Sequence, residues 1–135
     1  MNYLLDTHYL LWALFEPDRI SSNVLAVLES EDDEKFITGI NLWEISLKYS
    51  LGKLELDGLN PETISESAIE AGFTIIDPDY KIYSSYYKLP KKDDHKDPFD
   101  RLLFWYALNN ELILITKDKK VEQYIEDGLR VMIGT

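Results

Sequence analysis

The sequence predicts an α/β fold in which a parallel sheet is covered by helices on both faces. Short apolar segments that suit strands alternate along the chain with longer segments that have the cap residues and apolar spacing of helices. This alternation is typical of repeated strand–helix–strand units, whose strands run parallel. At 135 residues and 45% hydrophobic composition, the chain suits one domain with a substantial core. We therefore predict a single domain over residues 1–135, without an interdomain linker or an internal repeat.

The first half of the chain is predicted to contain three strands and four helices. Thr7 is expected to cap the first helix, Ser21 or Ser22 the second and Asn41 the third, because these residue types accept hydrogen bonds from the first free N–H groups. Asn60 followed by proline is a typical start for the fourth helix. The predicted strands are NYLL, KFITG and FTIID, and the predicted helices are HYLLWALF, NVLAVLES, LWEISLKYSLG and ETISESAIEAG.

The second half is predicted to contain three helices and two strands. Pro78 is expected to start a helix through YKIYSSYYKL, and the mixed-charge loop PKKDDHKD follows it. In the stretch DPFDR, Asp97 is predicted to be the N-cap and Pro98 the first helical residue, which puts Asp100 in the first turn. The remaining predicted elements are the strand ELILITKD, the helix KKVEQYIED and the strand LRVMI.

Composition excludes several classes of protein. The chain has 25 acidic and 14 basic residues, a net charge of −11, which argues against binding nucleic acid by broad neutralisation of phosphates. It has no cysteine, which excludes disulfides, thiolate catalysis and cysteine-bound zinc. The apolar opening segment contains Asp6 and His8 and is interrupted at Glu16, so it fits neither a signal peptide nor a membrane span. We expect a cytoplasmic protein that does not enter a membrane.

Acidic residues recur where predicted strands end and predicted helices begin. Asp6 follows the first strand and Asp118 follows LILIT, and ligands of open α/β sheets bind beyond the carboxyl ends of the strands. Glu44 lies three residues after Asn41, and Asp100 lies three after Asp97, so both are expected in first helical turns near strand ends. Four or five carboxylates are therefore predicted to converge at one edge of the sheet.

Each acid also has a purely structural interpretation. Asn41 and Glu44 fit a capping box, Asp97 suits an N-cap, and an acid in a first turn opposes the helix dipole. Capping alone does not require an acid at nearly every such position along one edge. Gathered carboxylates resist ionising together unless a cation compensates them, and Mg²⁺ or Mn²⁺ prefers oxygen ligands. Attack of a metal-activated water on a phosphodiester is the reaction class that fits best.

The stretches YLLDTHYLLWAL, NLWEISLKYSLGKLEL, HKDPFDRLLFWYAL and LILITKD, in this order, resemble the PIN-domain ribonucleases, particularly VapC-like toxins of toxin–antitoxin pairs. The resemblance implies a three-layer α/β/α sandwich, an Mg²⁺- or Mn²⁺-dependent endoribonuclease, a small antitoxin partner and a homodimer. It also implies which residues form the site: Asp6, Glu44, Asp100 and Asp118 as metal ligands, with Asp97 and Thr116 in secondary roles.

Two other functions stay open at this stage. A receiver or phosphatase-like domain also has aspartates at strand ends, but LLDTH has neither an acidic pair before it nor Asp-x-Asp. A catalytically silent PIN-like interaction module is favoured if the matched acids are replaced, and all four are present. His8 and His95 show no zinc-ligand spacing and are expected in surface or packing positions. The tryptophans and the tyrosines of YSSYY could stack on bases, although core or dimer contacts are the more expected role.

Overall fold

The computed structural model describes residues 1–92 and 97–134. His95 and the middle of the predicted loop PKKDDHKD lie outside the described residues. The strands are β1 (Asn2–Leu5), β2 (Glu34–Thr38), β3 (Thr74–Ile76), β4 (Ile113–Thr116) and β5 (Arg130–Ile133). The α-helices are α1 (Thr7–Phe15), α2 (Ser22–Glu29), α3 (Gly39–Ser50), α4 (Pro61–Glu70), α5 (Tyr80–Ser85) and α6 (Pro98–Asn109), and 3₁₀ helices span Pro17–Arg19, Tyr86–Lys88 and Lys119–Asp127. Within these described ranges, no helix has the length and apolar character that a membrane span requires.

The strands form a parallel sheet in the order β3-β2-β1-β4-β5. The chain builds one half of the sheet outward from β1, returns to the middle, and builds the other half from β4. The order of the strands therefore reverses between β1 and β4, which is where open α/β sheets bind ligands. The backbone N–H of Asp6 continues the pairing beyond β1 by donating to the carbonyl of Ile115 at 3.0 Å. The predicted α/β class and parallel sheet are confirmed.

The hydrophobic core is divided between the two faces of the sheet. Neighbouring residues of a strand point to opposite faces, and Leu4 and Leu5 of β1 accordingly lie in separate apolar clusters, each with no solvent exposure. Leu5 packs with α1 residues such as Leu10, whereas Leu4 packs with α6 residues such as Phe104. A strand buried on both faces is typical of a sheet between two helical layers, so the three-layer α/β/α architecture is also confirmed.

Two predicted helix starts were wrong, and both errors bear on the site. Asp6, not Thr7, caps α1, because its Oδ1 accepts a hydrogen bond from the backbone N–H of Tyr9 at 2.8 Å. Thr38, the last residue of β2, caps α3, and Asn41 is the third helical residue of a Thr38–Asn41 capping box. The predicted box between Asn41 and Glu44 does not form. Both strands run directly into their helices, so α1 and α3 each start earlier in the sequence than predicted.

The second half differs from prediction mainly in the kind of helix. The predicted helix YKIYSSYYKL begins after an Asp79 cap and divides into α5 and a 3₁₀ turn at Ser85. The predicted helix KKVEQYIED is a 3₁₀ helix, which ends at Gly128 with a left-handed φ of 101°. The start of α6 is as predicted: Asp97 accepts hydrogen bonds from the N–H groups of Phe99 and Asp100.

Candidate active site

Asp6 lies at the end of β1, where the strand order reverses, and both of its carboxylate oxygens accept hydrogen bonds. Its side chain is 4% exposed, and while Oδ1 caps α1, Oδ2 accepts a hydrogen bond from the Thr116 hydroxyl at 2.7 Å. Burial raises the pKa of Asp6, and the hydrogen bonds from Tyr9 and Thr116 partly oppose this. Thr116 also accepts a hydrogen bond from the backbone N–H of Asp118 at 3.1 Å. Thr116, at the end of β4, therefore orients the carboxylate of Asp6.

Glu44 reaches the same edge from the side of α3. Its side chain is 3% exposed. The prediction placed Glu44 in the first turn of the helix, but it lies beyond that turn. Oε1 accepts a hydrogen bond from the Thr7 hydroxyl at 2.6 Å, and Oε2 forms an ion pair with Lys48 at 2.5 Å. Asn41 donates to the carbonyl of Leu5 at 3.1 Å and to the Thr7 hydroxyl at 3.2 Å, which fixes α3 against the end of β1.

Sequence reasoning missed Thr7, Asn41 and Lys48 as members of this site. Lys48 stands one helical turn after Glu44, a spacing that favours a Glu–Lys pair and was a usable signal. Burial lowers the pKa of Lys48, but its hydrogen bond to Glu44 and the charges of Glu44, Asp97 and Asp100 outweigh this, so its pKa is raised. Lys48 therefore supplies positive charge to this group of acids. We call the group the acidic edge; its members are Asp6, Glu44, Asp97, Asp100 and Asp118.

Asp100 experiences the charges of the other acids at this edge. Its pKa is raised to about 7, first by burial and then by the negative charges of Asp97, Asp6, Glu44 and Asp118. Each of these four carboxylates is therefore near enough to disfavour ionisation of Asp100. Burial and repulsion together outweigh the stabilisation that the positive end of α6 gives to an acid in its first turn.

The capping interpretation also holds for several of these acids. Asp6 caps α1, Asp97 caps α6, and Asp118 caps the 3₁₀ helix by accepting from the N–H of Lys120 at 2.9 Å. In Asp6 the cap uses Oδ1 while Oδ2 accepts from Thr116, so a capping carboxylate can have a second role. Helix capping and a functional site are therefore compatible at these positions.

Two observations bear on whether these residues suit a divalent cation. Over residues 1–92 and 97–134, no three acidic or histidine side chains stand in ready metal-binding geometry. The donors at this edge are nevertheless carboxylate oxygens, which Mg²⁺ and Mn²⁺ prefer, and Asp100 is disfavoured from ionising by its neighbours. Carboxylates that repel one another are not drawn together until a cation compensates them, which accounts for the first observation. The donor set fits such an ion.

Comparison with known proteins assigns the family. The PIN domain model matches residues 3–126, so the chain belongs to the PIN domain family. Solved structures that share the fold include VapBC2 from Rickettsia felis bound to a DNA fragment from the promoter (20% identity, 100% of both chains, TM-score 0.72). VapBC-1 from nontypeable Haemophilus influenzae (22% identity, 98% of both chains, TM-score 0.67) and DNA-bound VapBC from Salmonella typhimurium (18%, 98% of both, 0.62) are also similar. No match was found among curated protein sequences. The predicted PIN-domain family is confirmed, and the similar VapBC structures share its fold.

Proposed function

We propose that this protein is a metal-dependent endoribonuclease that hydrolyses phosphodiester bonds in RNA and acts as the toxin of a toxin–antitoxin pair. The observation that carries the proposal is that the charges of Asp6, Glu44, Asp97 and Asp118 all act on Asp100, at the strand-order switch of a PIN domain. An acidic protein that cuts an anionic polymer needs a local reversal of its field, and a bound divalent cation provides that reversal.

The proposal gives the acids different roles. Asp6, Glu44, Asp100 and Asp118 would hold Mg²⁺ or Mn²⁺, which supplies Lewis acidity and lowers the pKa of a water molecule when it is bound. Thr116 holds Asp6 in orientation through the 2.7 Å hydrogen bond, and Thr7 does the same for Glu44. Asp97 fixes the start of α6 and thereby the position of Asp100.

The proposed partner is a small antitoxin, and the similar VapBC structures support this class of partner. A groove of about 840 Å³ runs along α1 and the segment after α3, with apolar walls that include Trp12 and Phe15. Its other lining residues include Glu16, Glu55 and Asp57, which favour a segment with apolar and basic side chains. His8, two residues from Asp6, also lines it, so a basic side chain of the antitoxin would reach the acidic edge from this groove. We also propose that the protein forms a homodimer.

One observation favours a second candidate, a catalytically silent PIN-like interaction module. The described residues hold no three acids in ready metal-binding geometry. A module without catalytic activity has no need of such a geometry. The two candidates differ in what Mn²⁺ does, since a nuclease binds it and cuts RNA whereas a silent module does neither.

The deciding experiment measures cleavage of end-labelled cellular RNA with Mg²⁺ or Mn²⁺ and with excess EDTA, together with Mn²⁺ binding by calorimetry. The nuclease proposal expects cleavage only with the metal, and loss of both cleavage and binding in Asp100→Asn. Cleavage in EDTA by a preparation free of contaminating nuclease would disprove metal dependence. Absence of both Mn²⁺ binding and cleavage would establish the silent module. Growth arrest on expression of the wild type, but not of Asp100→Asn, tests the toxin role.

A further inference from the structure

Residues 80–92, YKIYSSYYKLPKK, carry a charge opposite to that of the rest of the chain. The segment contains four lysines, four tyrosines and no acid, although the whole protein has a net charge of −11. The next two residues in sequence, Asp93 and Asp94, are acids that lie outside the described residues. Neither the acidic site nor the antitoxin groove uses these tyrosines and lysines. The segment therefore needs its own explanation.

Most of these side chains face solvent. Tyr80 is 74% exposed, Tyr87 78% and Tyr83 49%, which is unusual for rings of this size. Lys81, Lys88 and Lys91 are exposed as well, and none of them forms an ion pair within the described part of the chain. We call these three tyrosines and three lysines the tyrosine–lysine surface.

Lys92, the fourth lysine of the segment, serves a different purpose. It forms ion pairs with Glu126 at 2.9 Å and Asp127 at 3.1 Å, and its ammonium group lies 5.6 Å from the centre of the Tyr124 ring. Its charge is therefore compensated within the protein, and it fastens the end of the segment to the last 3₁₀ helix.

An aromatic cleft includes Tyr83 of this surface and residues next in sequence to two of the candidate metal ligands. A cavity of about 200 Å³ is lined by Trp43, Tyr83, Tyr86, Pro98, Phe99 and Leu102. Trp43 is 61% exposed, unlike the half-buried Trp12 and Trp105, and its ring lies 5.0 Å from that of Phe99 in an edge-to-face arrangement. Trp43 directly precedes Glu44, and Phe99 directly precedes Asp100. The cleft therefore shares α3 and the first turn of α6 with two of the candidate metal ligands.

Exposed aromatic rings beside lysines that form no ion pair within the described residues have the chemistry that binds single-stranded nucleic acid, in which bases stack on rings and phosphates contact lysines. A protein of net charge −11 gains little from phosphate contacts elsewhere, so stacking near the site has added value. The competing occupants fit less well. A two-fold contact between copies would bring the lysines of one copy towards those of the other, and a basic antitoxin would be repelled.

We propose that the tyrosine–lysine surface and the Trp43 cleft bind the bases of single-stranded RNA next to the phosphodiester that lies at the acidic edge. This inference rests on the proposed nuclease function. The surface sets where along the RNA the protein cuts, because the distance from the stacked bases to Asp100 fixes which phosphodiester reaches the carboxylates.

The test measures RNA binding without cleavage, by fluorescence anisotropy of the full chain in EDTA. The probe is a labelled single-stranded oligoadenylate of about 12 nucleotides, within the range of site sizes for such surfaces. We expect Tyr80→Ala and Tyr87→Ala, at rings too exposed to support the core, each to weaken binding by about 5- to 100-fold. Tyr49→Ala, at another exposed tyrosine, is the matched control and should bind as the wild type does.

The lysines are tested by the salt dependence of the same binding. Lys81→Gln and Lys88→Gln should each reduce the slope of log affinity against log salt by about 0.7. Lys53→Gln, at an exposed lysine outside the surface, should leave the slope unchanged. Trp43→Ala should shift the positions of the cuts when Mn²⁺ is restored, whereas a purely structural role would lower activity without moving them.

The outcomes separate this inference from the proposed function. If the wild type cleaves RNA with Mn²⁺ while the tyrosine variants bind and cut as it does, the surface assignment is wrong and the nuclease proposal stands. If the wild type binds through these tyrosines but never cleaves, the nuclease proposal fails and the binding surface is real. If the variants bind RNA normally but no longer form dimers in light scattering, the face is a contact between copies and the inference is overturned.

Discussion

The two sides of the acidic edge are built differently. On the strand side, Asp6 has both oxygens engaged, by the Tyr9 N–H and by the Thr116 hydroxyl. On the helix side, Asp100 stands in the first turn of α6 with four carboxylates acting on it and a pKa of about 7. One side is preorganised by hydrogen bonds and the other is held in repulsion. The acidic edge thus has a fixed half around Asp6, whose geometry is set by hydrogen bonds. Its frustrated half lies around Asp100, where a bound cation would compensate the repulsion between carboxylates.

The largest effect is expected where the frustrated half is removed. Asp100→Asn should lower RNA cleavage by at least about 100-fold, because a proposed metal-ligating carboxylate is lost. The same change should raise the melting temperature of the metal-free protein, since it removes a charge that its neighbours oppose. The measurements are cleavage rate and thermal unfolding in EDTA. Asp97→Asn is the control and should be much milder, because asparagine also caps helices. If Asp97→Asn were inactive and Asp100→Asn active, the two roles would be reversed.

The fixed half can be loosened at Thr116. Thr116→Val keeps the shape but deletes the hydroxyl that donates to Asp6 and accepts from the N–H of Asp118. Because groups that orient metal ligands typically affect affinity by about 10- to 100-fold, Mn²⁺ affinity should fall by that order. The metal-free protein should also lose about 1–3 kcal/mol of unfolding free energy, as a buried carboxylate loses a partner.

Calorimetric titration with Mn²⁺ and denaturant unfolding provide the measurements for Thr116→Val. Thr74→Val, at an exposed threonine of the edge strand β3, is the matched control. Equal Mn²⁺ affinity in Thr116→Val and the wild type would mean that Asp6 needs no such orientation, or that it is not a ligand.

Lys48 interacts with Glu44, Asp97 and Asp100. Its replacement should change Mn²⁺ affinity and the stability of the metal-free protein in opposite directions. Lys48→Met leaves Glu44 buried without its ion-pair partner, so the metal-free protein should lose about 1–2 kcal/mol, a modest value because Lys48 is 38% exposed. Mn²⁺ should bind several-fold more tightly, since a competing positive charge is gone. Thermal unfolding in EDTA and Mn²⁺ titration test this against Lys53→Met. Weaker Mn²⁺ binding in Lys48→Met would instead show that Lys48 organises the ligands.

A further effect is expected from pH. The pKa of Asp100 in the folded state is raised to about 7 from the ordinary value of 3.8. The folded state therefore binds this proton at a higher pH than the unfolded state does. Stability of the metal-free protein should therefore increase as pH falls from about 8 to about 5. Asp6, whose pKa is also raised by burial, acts in the same direction. Melting temperatures across this range give the measurement, and Asp100→Asn should show a smaller rise. A melting temperature that falls steadily with pH would contradict the raised pKa.

What the sequence could predict follows from how local each signal is. Asp6 and Asp118 were found because strand ends are visible in the apolar pattern, and the start of α6 was found because Asp97 and Pro98 are adjacent. The start of α3 was missed because Thr38 and Asn41 are both good caps, and only the strand that leads directly into the helix decides between them. The contacts of Thr7 with Glu44 and Asn41 span 37 and 34 residues, so no local pattern encodes them.

The position of β1 in the middle of the sheet also has a consequence during synthesis. β1 is made first, yet its partner β4 and the hydroxyl that orients Asp6 come 110 residues later. At about 5–20 residues per second, roughly 5–20 seconds pass before Thr116 has been added to the chain. Until then the sheet is missing one neighbour of its central strand, and the acidic edge has no second side. Under the proposed nuclease function, a chain that is still being translated cannot cut RNA before Thr116 has been added.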